Sequence, residues 1–433
     1  MKRLVWLVSL PAVLLVGTYV AALIINFEDA APSPIAERMR ALMTERPEVK
    51  EGENAYVFAF GFDSEKGASA VEWGRKKLDW LAEADSDPDE SDLGELPGNT
   101  WSASRDRAPR FRELASGQDT FLTTDDALLA EWVADEAWLL DRYLALTQYP
   151  HWRESIPDHA ALPFVPFSDV MEGQKLLMGK ALLAADKDRG EEVSALLEND
   201  LKFWRMVLAE SDLLITKMIA TAAVRRHFQL GNVVLRRLSE SGEEGPTGAP
   251  SLWAEPMTAE ERSLDRVMAG EWLYGNRLLQ DFVESSSHDR ILWSLMKPLF
   301  QPQDLENRRA ESLVRWGEEL EVPLEELPAA LESARSSVVD KENRLGLYNL
   351  SGRMLLDGEM PLPAYGEYLA RVADLEGVRR AALLAARLRD GDSVGAAGLV
   401  NPYTGDPLPL ENGSVVKFVG LAKGEKGRHD FPL

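Results

Sequence analysis

Residues 168–238 read SDVMEGQKLLMGKALLAADKDRGEEVSALLENDLKFWRMVLAESDLLITKMIATAAVRRHFQLGNVVLRRL. The stretch divides into three long helical segments and contains no recognisable catalytic motif. The first opens at Ser168 or Asp169, and Asp169 with Glu172 has the spacing of a capping box. Its apolar positions Val170, Leu176, Leu177, Ala181 and Ala184 recur at helical intervals. The second, Glu191–Glu210, follows a break at Gly190. Val193, Leu196, Leu197, Leu201, Trp204, Val207 and Leu208 repeat at three and four, which marks one buried face. Glu198, Asp200 and Arg205 are expected on the opposite, outward face.

The third segment starts at Ser211-Asp212, which suits a helix cap. Its first half is apolar nearly all round, through Leu213, Ile215, Met218, Ile219, Ala222 and Val224. A helix of that kind is buried on several sides, so this segment is expected to be the core helix. With neither Gly nor Pro at 210–212, one continuous bent helix over 191–238 is the competing reading.

Outward from this block, 433 residues with 45% apolar content and 12 Trp are ample for a sizeable core. The absence of cysteine excludes disulfides, a lipidated cysteine and thiolate chemistry. A net charge of −24 opposes binding to nucleic acid or to anionic lipid headgroups.

Residues 4–25, LVWLVSLPAVLLVGTYVAALII, carry no charge. They are long enough for a bilayer core of about 30 Å, and Lys2 and Arg3 precede them. The expectation is a single-pass anchor in a bacterial inner membrane. Residues 1–3 would be cytoplasmic and the bulk of the chain periplasmic. The competing reading is a cleaved signal peptide ending near Val20-Ala21-Ala22.

Residues 26–120 read as a juxtamembrane region. It has a helix at 35–46, an apolar strand or insertion at NAYVFAFGF (54–62), a helix at 68–84 and a long polar loop at 85–110. Residues 121–390 read as a helical array. Thr123–Gln148 is expected as one strong helix, and Thr258 with Glu261 caps another running to about Glu284. Shorter helices are expected at 304–316 and 323–336, and a last long one at 364–390. Residues 391–433 change character. Asn412-Gly413 is a strong hairpin signal, and Pro407 and Pro409 confine the preceding run to an edge. The fold class is therefore mainly α: an N-terminal transmembrane helix, an irregular helical-hairpin array resembling an α-solenoid, and a small C-terminal β-hairpin.

LLITKMIATAAVRR (213–226) and NPYTGDPL (401–408) resemble segments of N-terminally anchored envelope proteins of Gram-negative bacteria, a family without an assigned function. The resemblance covers layout, is specific only at these two segments, and implies no site residues.

Lys217 is the candidate for chemistry. It shares a helix face with Leu213, Thr221, Val224 and Phe228, so burial is expected to lower its pKa and fit it for base or nucleophile work. The structural alternative pairs it with Glu172 or Glu210. His151, Asp158 and His159 could contribute to a metal site, but they lie in a Pro-rich connection without an HExxH spacing. Solvated or hydrogen-bonding histidines are the plain alternative; His227, His288 and His429 are isolated. Asp85, Asp87 and Asp89 begin like a calcium loop and then depart from its template at Glu90 and Leu96. GDSVGAAG (391–398) follows a helix rather than a strand and is no dinucleotide loop. Trp152, in a loop, is the aromatic most apt to be exposed, with Trp132, Trp138, Trp204, Trp272 and Trp293 expected in the core. No cofactor is expected. The expected function is a helical scaffold or interaction module with an envelope protein partner. The alternative is a membrane-tethered envelope hydrolase or lyase using the buried lysine.

Overall fold

The computed structural model describes residues 2–83, 108–116, 120–156, 164–241, 249–285, 294–336, 346–356, 363–392 and 398–433. The polar loop over 85–107, the three aspartates within it, and Asp158 and His159 lie outside the described residues.

The chain is mainly helical with a small antiparallel sheet at its C-terminus. The helices are α1 (Lys2–Ile25), α2 (Pro34–Thr44), α3 (Ala55–Phe60), α4 (Ala70–Glu83), α5 (Arg112–Ser116), α6 (Asp126–Asp135), α7 (Ala137–Leu146), α8 (Phe167–Ala185), α9 (Gly190–Glu210) and α10 (Leu214–Ser241). There follow α11 (Ser251–Ala254), α12 (Ala259–Arg262), α13 (Asp265–Ser285), α14 (Pro302–Leu320), α15 (Leu327–Ser336), α16 (Leu350–Leu356) and α17 (Pro363–Arg389). Strands β1 (Leu410–Glu411), β2 (Val415–Val419) and β3 (Arg428–Pro432) pair in that order.

Helix α10 is the core helix, as its all-round apolar pattern predicts. It packs against α8, α9, α13, α17 and β3. Ala220, Ala223, Val224, Phe228 and Val234 are fully buried. Each large apolar side chain buried this way contributes about 1.5–3 kcal/mol. The continuous-helix alternative fails at Ser211, whose ψ of 138° is extended and turns the chain.

Helix α9 departs from expectation on its polar face. Asp200 is 0% exposed and Arg205 is buried. Asp200 lies on the apolar face itself, one turn from Leu196, Leu197 and Trp204, and meets α7, α8 and α10 through Tyr143, Gln174 and His227; Arg205, on the other face, is covered by α11 and α12. Periodicity locates the apolar stripe of a helix; it does not count the neighbours pressed against the other side.

Three further local expectations are revised. The run at 54–62 forms helix α3, not a strand, with Asn54 capping the Tyr56 amide at 3.1 Å. Among the described residues no strand partners it apart from one bridge between Asn54 and His151; helical bonds satisfy its backbone instead. The helix expected over 123–148 is divided at Glu136 into α6 and α7. From α7, Arg142 donates to the carbonyls of Phe62 and Ser64 at 2.7 Å and of Glu65 at 3.0 Å, clamping the loop after α3. The Thr258–Glu261 capping box is present, but it closes the single turn α12, and the chain breaks at Ser263 before α13.

The membrane anchor expected over residues 4–25 is overturned, and with it the inner-membrane and periplasmic placement. Among the described residues no helix is long and apolar enough to cross a membrane. The C-terminal end of α1 is tied into the protein. Tyr19 donates to the Leu295 carbonyl at 3.0 Å, and Ala22 is buried. The Asn26 side chain donates to the Leu347 carbonyl and accepts from the Asn349 amide. An uncharged run in sequence carries no information about such attachments.

At the C-terminus, Asn412 and Gly413 take φ of 51° and 70°, the left-handed pair a two-residue hairpin turn requires. The hairpin β1–β2 is present as expected, with β1 at an edge. A third strand, β3, completes the sheet. Val416, Phe418 and Phe431 point from it into the core, against α17 and α10.

Candidate functional site

The sequence directs attention to Lys217, and the structure places it at the turn between α9 and α10. Its ammonium is 1% exposed and donates to the Leu208 carbonyl at 2.5 Å, in the last turn of α9. A cation there suits the negative end of the helix dipole. Burial lowers its pKa to about 7, while the Glu261 carboxylate raises it and Arg266 lowers it further. Neither Glu172 nor Glu210 is its hydrogen-bond partner: Glu210 faces the Nδ1 of His151 at 3.2 Å and accepts the Trp152 amide at 2.8 Å.

The N-terminus of α10 gathers a group of carboxylates that periodicity does not reveal. Asp212, expected as the cap of α10, forms an ion pair with Arg46 instead. The cap comes from Glu154, far away in sequence. Its Oε2 accepts the amides of Asp212 at 2.6 Å and Leu213 at 2.8 Å, and its Oε1 accepts the Thr216 hydroxyl. Glu271 of α13 takes the next amide, Leu214, at 2.9 Å. These first-turn N–H groups have no partner within the helix, and three of them bonded to carboxylates make a buried N-terminus tolerable. Desolvation, reinforced by Asp212, raises the Glu154 pKa to about 7. Burial also raises Asp212, against the opposing pull of Arg46, Arg266 and Arg153, and its Oδ2 is buried without a hydrogen-bond partner.

A second polar network threads α7, α8, α9, α10 and α11. Tyr143, Gln174 and His227 all donate to the carboxylate of Asp200, the His227 Nδ1 at 2.8 Å. Trp204 donates to the Tyr143 oxygen at 2.7 Å, and Trp253 donates to His227 Nε2 at 2.9 Å. An indole N–H can only donate, so Nε2 accepts and the ring proton sits on Nδ1. This Asp–His pair resembles the base half of a catalytic triad. However, Trp253 occupies the nitrogen that would act, and Asp200 and His227 are 0% exposed. Its work is to hold five helices in register.

The remaining sequence candidates are dispersed. His151 is half-buried against Glu210, while Asp158 and His159 lie outside the described residues. Among the described residues no group of three or more His, Asp or Glu side chains is arranged to hold a metal ion. Trp152, expected as the exposed aromatic, is 1% exposed, packed between Tyr56 and Phe167.

The feature that sequence reasoning missed is an apolar cavity of about 280 Å³ between α13, α15, α17 and the turn joining α14 to α15. Leu264, Met268, Leu324, Leu327 and Leu369 form its walls; Arg262, Asp265 and Glu321 stand at its rim. Its residues come from three stretches more than a helix apart in sequence, and each reads locally as ordinary helix face or turn. Only Pro323, which stops α14 and sets up the turn, leaves a sequence trace. A volume of this size exceeds the roughly 150 Å³ cavity that admits benzene.

Comparison of the chain with family models, with curated proteins and with solved structures finds no match.

Proposed function

We propose that the chain is an interaction module: an irregular array of helical hairpins, α-solenoid-like in its succession, that takes a segment of a protein partner into the groove between α13, α15 and α17. The observation that carries this reading is the apolar cavity, which has hydrophobic walls and a few charged groups at its mouth, as binding sites for apolar anchors do. The successive packing of α7 on α8, α8 on α9 and α9 on α10 supports the scaffold side of it. The net charge of −24 disfavours nucleic acid as the partner.

The test is a photo-crosslinking residue at position 259, which lines the cavity and is exposed. It should capture a protein that the same residue at exposed Lys423 does not capture. Equal capture at both positions would refute the reading.

A second reading, a hydrolase or lyase using Lys217, draws on one observation: Lys217 and Glu154 are both shifted to about 7 by burial. It requires access that a side chain 1% exposed does not have in this conformation. Acylation of Lys217 ahead of the exposed lysines at neutral pH would favour it; labelling only on unfolding would remove it.

A further inference from the structure

The rim of the cavity is acidic. Asp265 and Glu321 line the mouth, and Glu260, Glu325 and Glu326 stand on the segments that carry the lining residues Ala259, Leu324 and Leu327. These five carboxylates have no ion-pair partner among the described residues. By contrast, Glu261, the one carboxylate of α12 that turns inward, is held by Arg205 at 2.6 Å. Among the described residues Arg262 is the single cation of the lining. An apolar pocket ringed by unneutralised carboxylates, in a chain of net charge −24, attracts cations and repels acidic segments.

We infer that the occupant of this groove is a basic segment of a protein partner, with two bulky apolar side chains seated in the cavity and Lys or Arg residues beside them facing the acidic rim. This rests on the groove reading and adds the partner's charge to it. The volume sets the anchors: about 280 Å³ takes two large side chains, as an amphipathic helix presents them one turn apart. The rim sets the flanks, and it acts through encounter rate and selectivity more than through final affinity.

Fluorescence anisotropy on the full chain tests this with two labelled peptides. Each carries Trp and Leu one helical turn apart; one is built on lysines and its twin on glutamates. The lysine peptide should bind at least about tenfold more tightly at low salt, and the preference should shrink as salt shortens the Debye length. The triple variant E321K/E325K/E326K should lose or invert the preference. Leu324→Asp should abolish binding of either peptide. Equal, salt-insensitive affinity for both twins, still abolished by Leu324→Asp, would overturn the basic partner and leave the groove standing. Binding untouched by Leu324→Asp, or no binding of either peptide, would overturn both. Equal binding of a lysine peptide with Trp and Leu replaced by Ala would reduce the site to charge alone and overturn the inference.

Discussion

The α9–α10 junction and the α13–α15–α17 cavity are opposite solutions to helix packing. At the junction, charged groups are drawn into a space with no solvent, and each is held by backbone or by another charge. Glu154 accepts three donors, Lys217 caps the end of α9, and Arg46 meets Asp212. At the cavity, apolar walls are left uncovered and the charges stand outside, without ion-pair partners among the described residues. The junction has the perturbed groups expected of an active site and no route to them. The cavity has the route and no reactive group. Perturbed pKa values mark buried structural charges as readily as catalytic ones, and access separates the two cases.

The comparison breaks first at Glu154. Replacing it with Leu strands the amides of Asp212 and Leu213 and the Thr216 hydroxyl, and should cost about 3–5 kcal/mol in denaturant unfolding. A loss under about 1 kcal/mol would mean that water already serves that helix end. Gly270→Ala probes the same junction from α13. Its added Cβ would lie 1.9 Å from the Asp212 carbonyl oxygen, a backbone atom that cannot rotate away. Destabilisation by about 2–4 kcal/mol is expected, and a neutral result would show that α13 is loosely seated.

Lys217→Met should keep the fold and stabilise it by about 1–3 kcal/mol near pH 7, because it removes a desolvated amine. The pH profile sharpens this. The folded pKa of Lys217 is about 7 against an ordinary 10.5, so the unfolded chain binds more protons between them. The contribution of Lys217 to stability therefore rises as pH rises from about 7 to about 10.5. Glu154 has the opposite shift, about 7 against 4.5, so the folded chain binds more protons there. Its contribution falls as pH rises through that window. The two together place a minimum near neutrality in thermal melts of the wild type. The gain from Lys217→Met should fade toward pH 10.5, and a gain independent of pH would assign it to packing instead.

The smallest effect on stability belongs to the cavity. Leu324→Asp, partly exposed at the mouth, should change unfolding by no more than about 0.5–1 kcal/mol while removing ligand binding there. A large loss of stability would make the cavity wall part of the core rather than a site.

The long periodic segments were legible: α8, α9, α10 and α17 lie where their apolar spacing predicts, and the Asn412-Gly413 turn closes the hairpin that its dipeptide announces. Lys217 was legible as a buried lysine, since its neighbours on the helix face are apolar. Its hydrogen-bond partner was not, because the Leu208 carbonyl reaches it only through the sharp turn at Ser211. Asp200 and Arg205 misled for a related reason. Arg205 reads as solvent-facing until a second layer, α11 and α12, covers it, and Asp200 reads as solvent-facing by its charge although it shares the apolar face, where Tyr143, Gln174 and His227 meet it. The run at 54–62 misled because aromatic and branched residues fit a strand only where a partner strand exists. Residues 4–25 misled because hydropathy and length do not report what a helix is tied to.

The sequence by itself determined that the long periodic segments α8, α10 and α17 are helical, where the apolar stripe of α9 runs, that no thiol chemistry operates, and that the net charge is acidic. These follow from short-range periodicity and from composition, which need no partner. Tertiary structure alone decided that Glu154 caps α10, that Asp200 joins His227 in the core, and that an apolar cavity opens among α13, α15 and α17. Each of those depends on residues tens to hundreds apart arriving at one place, and the free energy of that arrival is a property of packing that no local stretch encodes.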